Sequence, residues 1–301
     1  MKFHEVVRQI KDLHIQGAEA VAREGVCSLL LVIKESHAVT REALLAELFD
    51  ARKQLLATRP TEPFLRNALT YVFDNIYSYT DDYEFYKGIS ARINEVVSFF
   101  GVAEKRIAKL GAAKIRHNSV IYTHCHSSTV IGVLVEAKKQ GKKFVVHNTE
   151  TRPLYQGRKT ATELATAGIP VRHYVDSAAG IAMKGAHLCL FGSDAITSYA
   201  VYNKIGSGIF AELLSTRKIP LHICSNSWKF DPSATMKHKE TIEQRCPCEI
   251  WTDAPQGVVV KDPAFEPIIM PHISSIISEL GVLTPGTFIK QVKKTYPWMK
   301  K

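Results

Sequence analysis

The chain has 301 residues, 46% of them hydrophobic, with a formal charge of +10. That is enough apolar material for one large domain or two smaller ones, and no run reaches the roughly 20 residues needed to span a bilayer. Its N-terminus mixes charges with apolar residues at helical spacing and lacks a signal peptide's apolar core, and six cysteines in this length do not form a disulfide scaffold. A soluble, cytoplasmic protein is expected.

Up to residue 112 the pattern is helical. VVRQIKDLHI, GAEAVAREGVCSLLLVIKE, ALLAELFDARKQLLATR and GISARINEVVSFFGVAEKRIAKLGAAKI each repeat apolar residues at spacings of three and four. Pro60 and Pro63 punctuate the middle, and Thr80-Asp81-Asp82 resembles a helix start.

After residue 117 the rhythm changes. SVIYTHC, KKFVVHNTE, PVRHYVD, HLCLFGSD and PLHICSNS read as strands. The segments between them, SSTVIGVLVEAKKQG, TATELATAGI, SAAGIAMKG and GIFAELLSTRK, read as helices. Thr160 to Glu163 fits a capping box opening the second of these. Short apolar strands alternating with helices predict a parallel sheet covered on both faces. The expected architecture is a helical N-terminal domain over residues 1–112, followed by a Rossmann-like, doubly wound α/β domain over residues 113–301.

Such sheets bind ligands at the carboxyl ends of their strands. Here those ends are polar: Thr123-His124-Cys125, Asn148 to Arg152, Asp176-Ser177 and Gly192-Ser193-Asp194. They are expected to line one crevice. Cys27, Cys189 and Cys224 sit in apolar stretches and read as small buried hydrophobes. Cys125 differs, because it ends a strand and precedes a helix start, where a thiol pKa falls and the sulfur is exposed. It reads as a reactive thiol or a packed one. Asp194 reads as a functional carboxylate or a turn cap.

Metal and nucleotide signals are weaker. His124 and His126 flank Cys125, but neighbours in sequence converge poorly on one ion. Cys246-Pro247-Cys248 with His238 is a partial zinc set, and two reduced cysteines in a loop are the expectation. Gly206-Ser-Gly208-Ile-Phe-Ala211 fits G-x-G-x-x-A but lacks the acidic residue about 20 positions on. That helix start, with Lys204 before it, could still hold a phosphate. The basic residues are scattered along the sequence and no nucleic-acid motif occurs, so no nucleic-acid partner is expected. A phosphorylated small molecule suits the charge.

His124-Cys125-His126-Ser127, Thr149-Glu150-Thr151-Arg152-Pro153, Gly192 to Ile196 and Asn203-Lys204-Ile205-Gly206 occur in that order, with Thr58-Arg59-Pro60-Thr61 upstream. Together they resemble the family uniting the regulatory subunits of translation initiation factor 2B with two sugar-phosphate isomerases. The contexts around Cys125 and Arg152 look closest to its ribose-1,5-bisphosphate isomerases. The resemblance covers nearly the whole chain. It implies an aldose–ketose isomerase that makes ribulose 1,5-bisphosphate during AMP breakdown, without metal or other cofactor. The implied catalytic pair is Cys125 and Asp194. The implied ligand contacts are Arg59, Asn203 and Lys204, with Gly17, Arg152 and Lys229. Gln16 stands where the family has a phosphate-gripping arginine, and Asp262 to Glu266 replaces its Asn-Pro-x-Phe-Asp motif. A homo-oligomer, dimer or hexamer, is also implied. The alternatives are a non-catalytic subunit binding a sugar phosphate or nucleotide, and methylthioribose-1-phosphate isomerase.

Overall fold

The structure is a computed structural model that describes residues 1–59, 62–79, 81–236, 242 and 244–300. Pro60, Thr61, Thr80 and His238 therefore lie outside the described residues.

Five helices come first: α1 (Phe3–Lys11), α2 (Ala18–Glu35), α3 (Arg41–Thr58), α4 (Pro63–Phe73) and α5 (Asp82–Ala112). Their ends follow local chemistry. Thr40 caps α3 by accepting from the amide of Ala43, and Asp81 caps α5 by accepting from that of Glu84. Pro63 takes the first turn of α4, where its missing N–H costs nothing. The apolar stripes turn inward: Val21, Leu29, Leu48, Leu55, Phe64, Phe85 and Ile93 are all essentially inaccessible.

The alternating part follows the predicted order. It runs β1 (Ser119–Thr123), α6 (Ser128–Lys139), β2 (Phe144–Thr149), α7 (Gln156–Thr166) and β3 (Val171–Tyr174). It continues with α8 (Ala179–Ala182), β4 (Leu188–Phe191), β5 (Ala195–Ile196), β6 (Ala200–Lys204) and α9 (Ser207–Thr216). The chain then forms β7 (Leu221–Cys224), β8 (Phe265–Ile269), β9 (Ser275–Ser278), β10 (Gly281–Leu283) and α10 (Pro285–Thr295).

The main sheet has the order β10-β9-β7-β4-β1-β2-β3, with every pairing parallel except the β10 edge. The central strand β4 is buried at all four positions, as a sheet covered on both faces requires. One buried apolar cluster runs without a break from Phe64 and Phe100 in the helices to Tyr122, Phe191 and Ile223 in the sheet. The helices are thereby held against the strands, and α5 spans the two by packing on α6 and β9. No described helix is long and apolar enough to cross a membrane.

Two local expectations are corrected. A second, three-stranded antiparallel sheet, β5-β6-β8, follows Asp194 where no strand was read. It turns the chain back on itself, so that Asn203 and Lys204 return toward the end of β4. Thr160 is not a helix cap. The helix α7 starts four residues earlier, after Tyr155 takes a left-handed φ of 57°. Thr160 is buried inside it and donates its hydroxyl to the Cys125 carbonyl at 2.8 Å.

Candidate active site

A cavity of about 340 Å³ opens at the carboxyl ends of β1 and β4. Of the nine residues singled out in the sequence, Gln16, Gly17, Arg59, Cys125, Asp194, Asn203, Lys204 and Lys229 all line it. They come from separate parts of the chain: the α1–α2 turn, the end of α3, the two strand ends, β6 and the turn after β7. Arg152 is the exception. It is exposed, lies over the Tyr155 ring and donates to the Tyr155 hydroxyl at 2.8 Å.

Cys125 sits on a strained backbone, with φ at 65°. A non-glycine residue holds such a conformation only where its surroundings fix it. Here both backbone groups are held: the Cys125 amide donates to Thr151 Oγ1 at 3.0 Å, and its carbonyl accepts from Thr160. Thr151 is itself left-handed, and the Thr151 and Arg152 amides donate to the two Asp176 carboxylate oxygens at 2.8 and 2.7 Å. Asp176 therefore braces the loop behind Cys125 instead of lining the crevice, which corrects its expected place.

His124 braces the same loop from the other side. One ring nitrogen, Nε2, lies 3.0 Å from the Ile205 carbonyl, which can only accept, so Nε2 carries the proton. The other, Nδ1, then accepts from the Thr149 hydroxyl at 2.7 Å. This ring ties the Cys125 loop to the turn carrying Lys204. Burial pushes its pKa down to about 4, so the ring is neutral at physiological pH. The folded pKa lies below the ordinary 6.5, so the unfolded chain takes up the proton first as pH falls. Stability from this group is full above about pH 6.5 and is lost as pH falls toward 4. The melting temperature should fall through this window, and His124→Gln should flatten that part of the profile. A slope unchanged in the variant would remove His124 from the account.

The thiol of Cys125 does not behave as its helix-start position suggested. Burial first, and the Asp194 charge second, push its pKa up to about 12, and Lys204 offsets only part of this. The proton therefore rests on sulfur at neutral pH. Desolvation outweighs the helix terminus because the half-buried thiol lines a cavity that it shares with the Asp194 carboxylate.

Positive charge surrounds the pair. Lys204, Lys229 and Arg59 are all buried; Lys229 donates to the Ser193 carbonyl at 2.6 Å, and Arg59 pairs with Glu62 at 3.2 Å. Two further cations in the lining, Lys159 and Arg245, were not foreseen. Lys159 lies within α7, whose start was misplaced. Arg245 arrives by a long-range return, its amide donating to the Asp262 carbonyl at 2.9 Å. The N-termini of α2 and α6 also face the cavity through Gly17 to Ala20 and Ser127 to Thr129. Free amides and the helix dipole make such ends anion sites.

The start of α9 does not serve in this way. Gly206 has the positive φ of 100° that the turn demands, but the Gly208 amide already donates to Glu266 at 2.7 Å. The protein's own carboxylate fills the place expected for a phosphate. Cys246 and Cys248 form a disulfide, not two free thiols, because a 3₁₀ turn at Pro247 brings their Cα atoms to 5.2 Å. Among the described residues, no three His, Cys, Asp or Glu side chains gather as metal ligands.

Residues 14–285 match the model of the initiation factor 2 subunit family. The chain is 36% identical to ribose 1,5-bisphosphate isomerase of Pyrococcus furiosus, over 98% of this chain and 94% of that protein. Among solved structures, 5-methylthioribose 1-phosphate isomerase from Pyrococcus horikoshii superposes with a TM-score of 0.83 at 27% identity, covering 98% of this chain and 88% of that one. The Pyrococcus horikoshii translation initiation factor eIF-2B superposes with a TM-score of 0.82 at 26% identity, covering 95% and 98%.

Proposed function

The chain belongs to the initiation factor 2 subunit family, and from that premise we propose that it is an aldose–ketose isomerase converting α-ribose 1,5-bisphosphate to ribulose 1,5-bisphosphate. The observation that carries the reading is one cavity holding both Cys125 and Asp194 within a ring of cations. Of the five cations in the lining, Arg59 pairs with Glu62, Arg245 with Glu249 and Lys159 with Glu163, which leaves the buried Lys204 and Lys229, neither of which forms a salt bridge among the described residues. That surplus suits two phosphates better than one, which favours a bisphosphate over methylthioribose 1-phosphate. The helix starts at Gly17 and Ser127 add uncharged donors for phosphate oxygens. Gln16 supplies no charge, and its amide donates to the Leu13 carbonyl at 2.6 Å.

The reaction moves hydrogen from C2 to C1. The thiol proton of Cys125 first passes to the Asp194 carboxylate, leaving a thiolate beside a carboxylic acid. The thiolate takes the C2 proton, the C1–C2 double bond forms, and the bond from C1 to the ring oxygen breaks. Asp194 donates its proton to that oxygen, giving an open-chain enol that keeps its phosphate on C1. The C2 hydroxyl then gives its proton to Asp194 while Cys125 delivers one to C1, which completes the C2 ketone, and Asp194 passes its proton back to the Cys125 sulfur, restoring thiol and carboxylate. Atoms and electrons balance between sugar and the two side chains. The α1–α2 turn and the first turn of α2 line one side of the cavity, where they would limit the access of water to the enol. The same reading takes the enzyme as a homo-oligomer serving AMP breakdown, with the half-exposed Ile209 and Ile269 available for subunit contact.

The experiment is direct. Purified protein mixed with α-ribose 1,5-bisphosphate should yield ribulose 1,5-bisphosphate by NMR, without nicotinamide. Saturable binding with no product, for this sugar and for methylthioribose 1-phosphate alike, would leave a non-catalytic binding subunit instead.

A further inference from the structure

Residues 1–112 hold fifteen basic and fifteen acidic side chains, so the entire formal +10 lies in residues 113–301, with 24 basic and 14 acidic. The excess is not a general enrichment in lysine. It is local to one half of the chain, and folding concentrates it further.

The strands β7, β4, β1 and β2 are neighbours in that order and mutually parallel, so their amino ends form one edge, opposite the substrate cavity. The segments entering those strands are 217–218, 184–187, 109–118 and 138–143. Together they carry ten lysines and arginines and no aspartate or glutamate. Hydrogen bonds join them into one surface: the Asn118 amide donates to the Lys143 carbonyl at 2.6 Å, the Lys143 amide to His117 at 3.4 Å, and the Val120 amide to His187 at 3.0 Å. Lys142 is held by the Ala112 carbonyl and Arg217 by that of Gly180. Arg116, Lys138, Lys139, Lys143 and Lys184 are exposed.

We infer that this edge binds the phosphate backbone of a nucleic acid, as an activity separate from the isomerase site. Strands lie about 4.8 Å apart, so four of them with their side chains span on the order of 20 Å. That length matches about four successive phosphates of a single strand. Ten cations on four segments that contain no aspartate or glutamate, with Glu136 the carboxylate that borders them through Gln140, select a polyanion over a mixed protein surface. The edge presents no helix or ribbon shaped for a groove and no stacking aromatic, so recognition is of backbone and not of sequence. In sequence the same residues lie scattered, which is why no such partner was expected from the order of residues alone.

The test is fluorescence anisotropy of a labelled 20-nucleotide oligouridylate with the intact chain. Binding should saturate in the micromolar range at 50 mM salt. It should weaken with a log–log salt slope of about −3, as expected for four phosphates on a single strand. Combined Arg116→Glu, Lys138→Glu, Lys139→Glu and Lys143→Glu should weaken binding at least about tenfold, with melting temperature and isomerase rate kept. A control reverses the same number of charges on the helical part, at Lys11, Lys34, Lys53 and Lys87, and should bind as the wild type does. Absence of saturable binding at 50 mM salt overturns the inference. So does equal loss in both variants, or tighter binding to polyglutamate or phosphatidylserine vesicles than to the oligonucleotide.

Discussion

Cys125→Ala should lower turnover by at least about a hundredfold, and Asp194→Asn by a similar factor, the usual scale for losing a proton-transfer group. Substrate affinity should change far less, because the proposed phosphate contacts are Arg59, Lys204, Lys229 and the helix starts, not these two side chains. The fold should tolerate both changes. Cys125 keeps its left-handed backbone through Thr151 and Thr160, whose bonds are to its amide and carbonyl and survive in alanine. The two effects should also fail to add if, as proposed, thiol and carboxylate pass one proton between them. Steady-state rates of the single and double variants read this out. A variant with near-normal turnover would remove its residue from the chemistry.

Gly157→Ala should lower the melting temperature by about 5–10 °C and cut activity with it. Gly157 lies in the first turn of α7, where the helix presses on the end of β2. A Cβ there would stand 1.8 Å from the Thr149 carbonyl oxygen and 2.9 Å from two backbone carbons. Those atoms are main chain and cannot swing aside, so helix and strand end must separate. The strand end that moves carries Thr149 and Thr151, and with them the brackets on His124 and Cys125. Stability and rate should therefore fall together. An unchanged melting curve would show that α7 can shift at little cost.

Five strands of the main sheet, β1, β2, β3, β4 and β7, were readable as short apolar runs alternating with helical patterns, whereas β9 and β10 at its far edge were not read as strands. The candidate site was readable for a related reason. Parallel topology puts strand carboxyl ends on one edge, so Cys125 and Asp194 were expected on one crevice, and the pairing of β1 with β4 brings their strand ends side by side. What failed depended on contacts distant in sequence. The β5-β6-β8 sheet joins Ala195 to residues some 70 positions later through strands too short to show a period. Thr160 and Glu163 carry a helix-start pattern, but Tyr155 turns first and Thr160 is spent on the Cys125 carbonyl. Arg152 has the family's sequence context, yet Tyr155 holds it outside the cavity. The Cys125 thiol was expected to be acidic from its position; burial beside Asp194 reverses the sign. Lys159 and Arg245 gave no local signal, since each reaches the cavity only through packing.

The cavity is proposed to turn over a sugar carrying two phosphates. That proposal is tested most directly by comparing kcat/KM for α-ribose 1,5-bisphosphate and for methylthioribose 1-phosphate in one enzyme preparation. Lys204 and Lys229, together with the two helix starts, predict a preference for the bisphosphate of at least about tenfold, since each well-made contact to a charged group contributes on the order of 1.5–3 kcal/mol. Equal efficiency, or a preference for the methylthio sugar, would contradict it.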